Sequence, residues 1–219
     1  MKLENDIKQQ YSDRLNKAGL YNSTYSKLAA EERIFKSEQL IKKHLGKVES
    51  RTVLEIGAGQ GDNVALLNYC GFKDEHIYLN ELLPERVAAI KNNYPKVNLY
   101  PGNALDLNFN EKYDCVFQST VFTSVLNDSD RILLANKMWA LLKPGGIILW
   151  YDFVYDNPNN SNVRKVDINQ LKELFPNPTL IEILKITLAP PIGRRVGALY
   201  HIFNLPFLRS HILAVFKKQ

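Results

Sequence analysis

Hydrophobic positions in the first part of the chain recur at helical spacing. Ser26 to Phe35 leads into Leu40, Ile41 and Leu45, and Gly46 offers a stop. From Thr52 the rhythm changes to short apolar runs alternating with amphipathic ones. TVLEIG predicts a strand ending at Gly57, and Asp62 to Cys70 a helix. His76 to Asn80 predicts a second strand, followed by a helix over Pro84 to Asn93, with Pro84 suited to a first turn. Val97 to Tyr100 and Tyr113 to Gln118 predict two more strands, and Asp130 to Leu142 a helix facing the core through Ile132, Leu133, Met138, Leu141 and Leu142. Pro144-Gly145-Gly146 predicts a turn and IILWYDF a fifth strand. Such alternation argues a parallel sheet with helices on both faces.

The tail breaks that rhythm. TLIEILKITL (179–188) and HILAVFK (211–217) both predict strands, which could form an antiparallel edge on the sheet. Between them Ile192, Val196, Leu199 and Phe203 fall on one helical face of an insert. A connection of that length suggests a lid or a binding wall, or more plainly a packing helix. The expected organisation is one domain over 1–219: a helical cap (1–50), a core (51–188), a lid-like insert (189–210) and a last strand (211–219). The fold class is α/β, doubly wound and Rossmann-like, with seven strands, mostly parallel, and an antiparallel C-terminal strand.

Composition changes the picture only in places. The 219 residues are 45 % hydrophobic and 23 % charged, enough for one sizeable core. No apolar run long enough to span a membrane occurs, and the polar first residues do not read as a secretory signal. Cys70 and Cys115 offer neither a disulfide framework nor metal-ligand spacing, so a reduced, cytoplasmic protein without a metal is expected. The net charge of +5 sits entirely beyond Pro190, where Arg194, Arg195, Arg209, Lys217 and Lys218 meet no Asp or Glu. That segment could face an anionic substrate or a lipid headgroup surface, or simply be solvated.

The strongest chemical signal is Val53-Leu54-Glu55-Ile56-Gly57-Ala58-Gly59-Gln60-Gly61, an apolar strand running into glycines spaced G-x-G-x-G and then a helix. Glycines there let the backbone turn tightly and approach a ligand. A dinucleotide loop places its third glycine one residue later. Glu81 stands at the end of the second strand, 26 residues beyond Glu55, where a carboxylate can accept both hydroxyls of a ribose.

With YLNELLPERV, YPGNALDLNF, YDCVFQSTVF and LKPGGIILWYDF following in order, the stretch from about Thr52 to Phe153 resembles the class I S-adenosylmethionine-dependent methyltransferases. The resemblance implies S-adenosylmethionine as cofactor. It places Glu55, Gly57, Ala58, Gly59 and Gly61 on the loop beneath the cofactor and Glu81 on its ribose, with Leu82 beside the adenine. Asn103 and Ala104 fall where the adenine amine is held; Asn103 departs from the common Asp. Gln118, Ser119 and Thr120 fall on the methionine side. WYDFVYDNPNN, TLAPPIGRR and LPFLRSHILAVFKK look like a subgroup associated with polysaccharide gene clusters, which suggests a sugar or glycan acceptor.

An alcohol acceptor would benefit from a general base, for which Asp152, His211 and His201 are candidates. Asp152 could instead cap a loop or pair with Arg164. Tyr21 and Tyr25 could close over the cofactor or simply pack their helix down. Arg194, Arg195 and Arg209 could hold an anionic group on the acceptor. Other readings stay open: a small-molecule O- or N-methyltransferase, a non-catalytic cofactor-binding partner, or a nicotinamide oxidoreductase, which the glycine spacing disfavours. Nucleic acid is an unlikely partner, since no aromatic single-strand platform is evident.

Overall fold

A computed structural model describes residues 23–156, 160 and 162–219. Seven strands form one sheet: β1 (Val53–Ile56), β2 (Ile77–Glu81), β3 (Asn98–Pro101), β4 (Tyr113–Ser119), β5 (Leu142–Phe153), β6 (Leu180–Leu188) and β7 (Arg209–Lys217). Their order is β3-β2-β1-β4-β5-β7-β6. All pairs from β3 to β5 are parallel, and β7 runs antiparallel to both of its neighbours. The doubly wound, mostly parallel sheet expected from the periodicity is thus present. The closing strands form the expected antiparallel edge: β7 is inserted between β5 and β6, leaving β6 outermost.

Helices cover both faces because the central strands are buried on both sides. α1 (Thr24–Leu45), α2 (Val64–Tyr69) and α3 (Pro84–Asn93) lie on one face. There Leu40, Ile41, Leu67 and Ile90 pack on Val53, Leu79, Phe117, Leu149 and Leu213. α4 (Asp128–Leu141) and α5 (Ile168–Glu173) lie on the other, where Leu134, Met138 and Leu171 meet Leu54, Val116, Ile148, Trp150 and Phe216. Successive residues of β1, β4 and β5 alternate between these clusters, which is why the strands read as unbroken apolar runs. Helix α4 starts at Asp128 because Asn127 caps it by accepting from the Ser129 N–H. Its outer face carries Ile132 and Leu133, both exposed, so these two expected core positions face solvent. Pro144-Gly145-Gly146 lies within β5 as an irregularity: Tyr113 pairs with Leu142 and Cys115 with Ile147.

The connection after β6 departs most from expectation. It is not one helical face but α6 (Pro190–Val196) and α7 (Tyr200–Phe203), separated by a 3-10 turn at Gly197–Leu199. Gly197 adopts φ +52 and ends α6. Ile192 and Val196 consequently pack inward against Tyr25, Leu188 and Tyr200, whereas Leu199 and Phe203 are exposed. The basic tail also divides. Lys217 Nζ donates to the His44 carbonyl, and Lys218 Nζ to those of Trp139 and Leu142, at the far end of β7 from Arg209.

Candidate functional site

The chain winds outward from β1 through β2 to β3, then returns to β4 and β5 on the other side. The loops after β1 and β4 therefore diverge and leave a crevice, the place where open α/β sheets bind ligands. The β1 loop is built from backbone: Gly57, Gly59 and Gly61 have φ of +68, +61 and +87. A Cβ on Gly57 would stand 2.6 Å from Val121 Cγ2 and one on Gly61 2.6 Å from the Tyr94 ring, so glycine is required by neighbours as well as by torsion. Ala58, buried, donates its N–H to the Asn80 carbonyl.

Glu81 ties this loop to β2. Its Oε2 accepts the Gly59 N–H at 2.8 Å and its Oε1 the Leu83 N–H at 2.9 Å. Burial raises its pKa, opposed by those N–H donors. Each carboxylate oxygen retains a further lone pair for a ribose hydroxyl. Half-buried Leu82 follows it. Gly102 donates its N–H to the Glu81 carbonyl, which brings Asn103 and Ala104 beside the same strand end. Asn103 is exposed, and its Oδ1 caps a short 3-10 turn by accepting from Leu105; Ala104 is buried beneath it.

Glu55 is fully buried at the end of β1. Its Oε1 accepts from Asn63 Nδ2 at 2.5 Å, while its Oε2 has no partner among the described residues. Burial pushes its pKa up to about 7. An orphaned acceptor beside three bare glycines fits a ligand carrying an ammonium group and a sugar, as S-adenosylmethionine does. Sequence reasoning missed the residue that completes this corner. Arg33 of α1 donates to Asn63 Oδ1 at 2.7 Å and to Ser119 Oγ at 3.0 Å, with its guanidinium 4.9 Å above the Tyr151 ring. The signal was present: Arg33 stands four residues before buried Ser37 and eight before buried Ile41, on the helix's inner stripe. Of the β4 residues, Ser119 is thus at the site. Gln118 is fully buried and spent on backbone, accepting from Val121 and donating to the Tyr151 carbonyl. It braces the turn from within. Thr120 holds φ +58, uncommon for a β-branched residue.

On the other side of the crevice, β5, β6 and β7 end in a polar cluster. His211 pairs in register with Phe153 and Ile186 and stacks on Tyr151 with ring centroids 5.1 Å apart. Its Nδ1 is 3.0 Å from Ser210 Oγ, and that hydroxyl donates to the Thr187 carbonyl at 3.5 Å. With its proton donated to the Thr187 carbonyl, the Ser210 hydroxyl accepts from Nδ1–H, the tautomer that leaves the lone pair on Nε2. Burial, reinforced by the Arg33 charge, lowers the His211 pKa to about 4, so the ring is neutral at ordinary pH. Thr187 is itself held at φ +63. Glu32 of α1 accepts its N–H and, at 2.5 Å, the Tyr200 hydroxyl, and takes a third bond from Asn204. In the sequence Glu32 shows only as one more residue of a helix.

The remaining candidates are not gathered here. Asp152 is fully buried, its oxygens accepting the Thr123 and Phe153 N–H groups, and burial pushes its pKa up to about 7. It secures the turn after β4; Arg164 pairs with Asp128 instead. His201 is exposed on α7, edge-on to Tyr200. Arg209 donates to Asn204 Oδ1 and to the carbonyls of Lys185 and Asn204, which employs it in fastening the insert to β6. Arg194 and Arg195 are exposed. Tyr25 packs its helix down: it is buried, its hydroxyl donates to the Leu188 carbonyl, and a Cβ on Gly193 would strike its ring. Tyr21 lies outside the described residues.

Residues 53–146 match the family model described as a methyltransferase domain. A comparison with curated proteins found no match. Among solved structures, the chain is similar to a 1,6-didemethyltoxoflavin-N1-methyltransferase from Burkholderia thailandensis, solved with that acceptor and S-adenosylhomocysteine. The TM-score is 0.64 at 16 % identity, covering 99 % of this chain and 87 % of that one. It is similar also to a TehB-like methyltransferase from Corynebacterium glutamicum (TM-score 0.60, 13 % identity, 99 % and 98 % covered). A third is a SAM-dependent methyltransferase from Archaeoglobus fulgidus (TM-score 0.58, 15 % identity, 84 % and 94 % covered). At such identities the likeness to these structures is one of fold. The family match covers residues 53–146, from β1 into β5, the part of the chain that carries the glycine loop, Glu81 and Asn103.

Proposed function

We propose that the protein is an S-adenosylmethionine-dependent methyltransferase that O-methylates a hydroxyl of a sugar or glycan precursor, with His211 as general base. The observation that carries this reading is the His211–Ser210–Thr187 chain. It presents an uncharged imidazole with its free lone pair on Nε2, at the strand ends that face the cofactor loop. A hydroxyl needs such a base, because it is not nucleophilic enough without loss of its proton during attack. Bound S-adenosylmethionine supplies a methyl group made electrophilic by its sulfonium.

In this reading Gly57, Ala58, Gly59 and Gly61 line the cofactor, Glu81 takes its ribose, and Leu82, Asn103 and Ala104 border its adenine. Arg33, with Ser119, stands ready for its carboxylate, and Glu55 for its ammonium. Thr120 and Gln118 shape the turn around it. The hydroxyl proton passes to His211 Nε2 while Ser210 fixes the ring's tautomer. Asp152 is the second choice of base and His201, on the exposed helix, the third. Arg194 and Arg195 stand where an anionic acceptor could meet the insert, and Arg209 acts through the insert's position. Alignment of the acceptor oxygen roughly 3 Å from the methyl would supply much of the acceleration.

Methyl transfer from S-adenosylmethionine to a panel of sugar nucleotides and lipid-linked sugars tests the proposal. The expected product carries one O-methyl group; transfer confined to ring nitrogens of heterocycles would overturn it. That second reading, a small-molecule N-methyltransferase, draws on the activity of the similar Burkholderia thailandensis N1-methyltransferase.

A further inference from the structure

The insert between β6 and β7 has two unlike sides. Inward, Tyr200 is fully buried, its hydroxyl held by Glu32 and by the Leu188 N–H, and Ile192, Val196 and Leu208 pack on the same cluster. Arg209 adds its bonds to Lys185 and Asn204. The segment is therefore anchored by buried polar and apolar contacts, so its outer face is displayed rather than loosely hanging. Outward it shows Leu199, Ile202, Phe203, Leu205 and Phe207, with Ile202 68 % and Phe207 73 % exposed. Five large apolar side chains within nine residues form a concentration that a surface facing only water rarely keeps.

Charge selects the occupant. No acidic residue occurs from Pro190 to the end of the chain, and Arg194 and Arg195 are exposed on the adjoining helix. Neither makes an ion pair with another described residue. A second copy of the chain docked face to face would bring four such arginines together without counter-charge. An anionic bilayer surface satisfies both features, accepting the apolar side chains at the acyl boundary and the guanidinium groups among phosphates. No described helix is long and apolar enough to cross a membrane, so the contact is peripheral.

We infer that residues 194–207 form a docking surface for membranes rich in anionic phospholipid. This contact does not depend on the identity of the acceptor or of the base. The full chain should sediment with vesicles of phosphatidylcholine and phosphatidylglycerol at least about tenfold better than with phosphatidylcholine alone, and added salt should weaken it. The double substitution Ile202→Ser with Phe207→Ser should abolish sedimentation while S-adenosylhomocysteine affinity by calorimetry stays unchanged, showing that the chain still folds. In a separate Phe207→Trp chain, tryptophan emission should move to the blue on anionic vesicles. Equal affinity for both vesicle types, or no blue shift, would overturn the inference. So would a dimer in light scattering that the double substitution dissolves, since the face would then belong to a second copy.

Discussion

The two walls of the crevice are made differently. The proposed cofactor wall, from β1 to β4, is a matter of backbone: three glycines at positive φ, a carboxylate taking two N–H groups, and an asparagine capping a turn, all close in sequence. The proposed acceptor wall is a matter of side chains that meet from opposite ends of the chain. Glu32 reaches Thr187, Tyr200 and Asn204, while its neighbour Arg33 crosses to Asn63 and Ser119 on the first wall. A wall of the first kind suits one fixed ligand, because backbone geometry tolerates few substitutions. A wall of the second kind can be rebuilt for a new acceptor without disturbing the first. Variants should therefore separate the two.

The largest effect is expected from His211→Ala. kcat should fall about 10²–10⁴-fold, with calorimetric affinity for S-adenosylhomocysteine unchanged. Glu81→Ala should do the reverse, costing roughly 100-fold in cofactor affinity, since two N–H donors and a ribose lose their acceptor. The pH profile sharpens the assignment of the base. With His211 lowered to about 4, kcat/KM should stay flat from pH 8 down to about 5. A limb near 7 would point to Asp152 instead.

Glu32→Gln should couple the walls only through stability. Three donors lose a charged acceptor, and Tm should drop by several degrees, at about 2–4 °C per kcal/mol. The smallest effect is on pH dependence. Asp152 is raised from 3.8 to about 7, so its folded form holds a proton that the unfolded chain releases. Its stabilisation is full below about 4 and is lost as pH rises through about 7. Asp152→Asn should flatten the decline in Tm between about pH 4 and 7. His211 acts oppositely: its contribution is present above 6.5 and lost as pH falls towards 4.

That contrast also explains what could be read from the residues alone. Gly57 to Gly61 and Glu81 announce themselves because a positive φ or a strand-end acid leaves a local mark in the sequence. The five parallel strands were legible for a similar reason, since burial on both faces writes continuous apolar runs. Glu32 and Arg33 were not, although both fall on the buried stripe of α1. A charge within an apolar stripe signals a long-range partner, but nothing local says which. The insert was misjudged because Gly197 turns the chain between Val196 and Leu199, and a helical wheel drawn through it pairs residues that face opposite ways. Gln118 and Asp152 lie at strand ends where ligands bind, yet their polar atoms serve neighbouring backbone.

The placement of β7 carries one more consequence. β6 touches the rest of the sheet only through β7, so the outermost strand depends on the one that follows it in the chain. During synthesis, residues 180–188 must wait for 209–217 before they have anything to pair with. A truncation before Arg209 would thus remove two strands' worth of cooperativity rather than one, together with the imidazole at the start of β7.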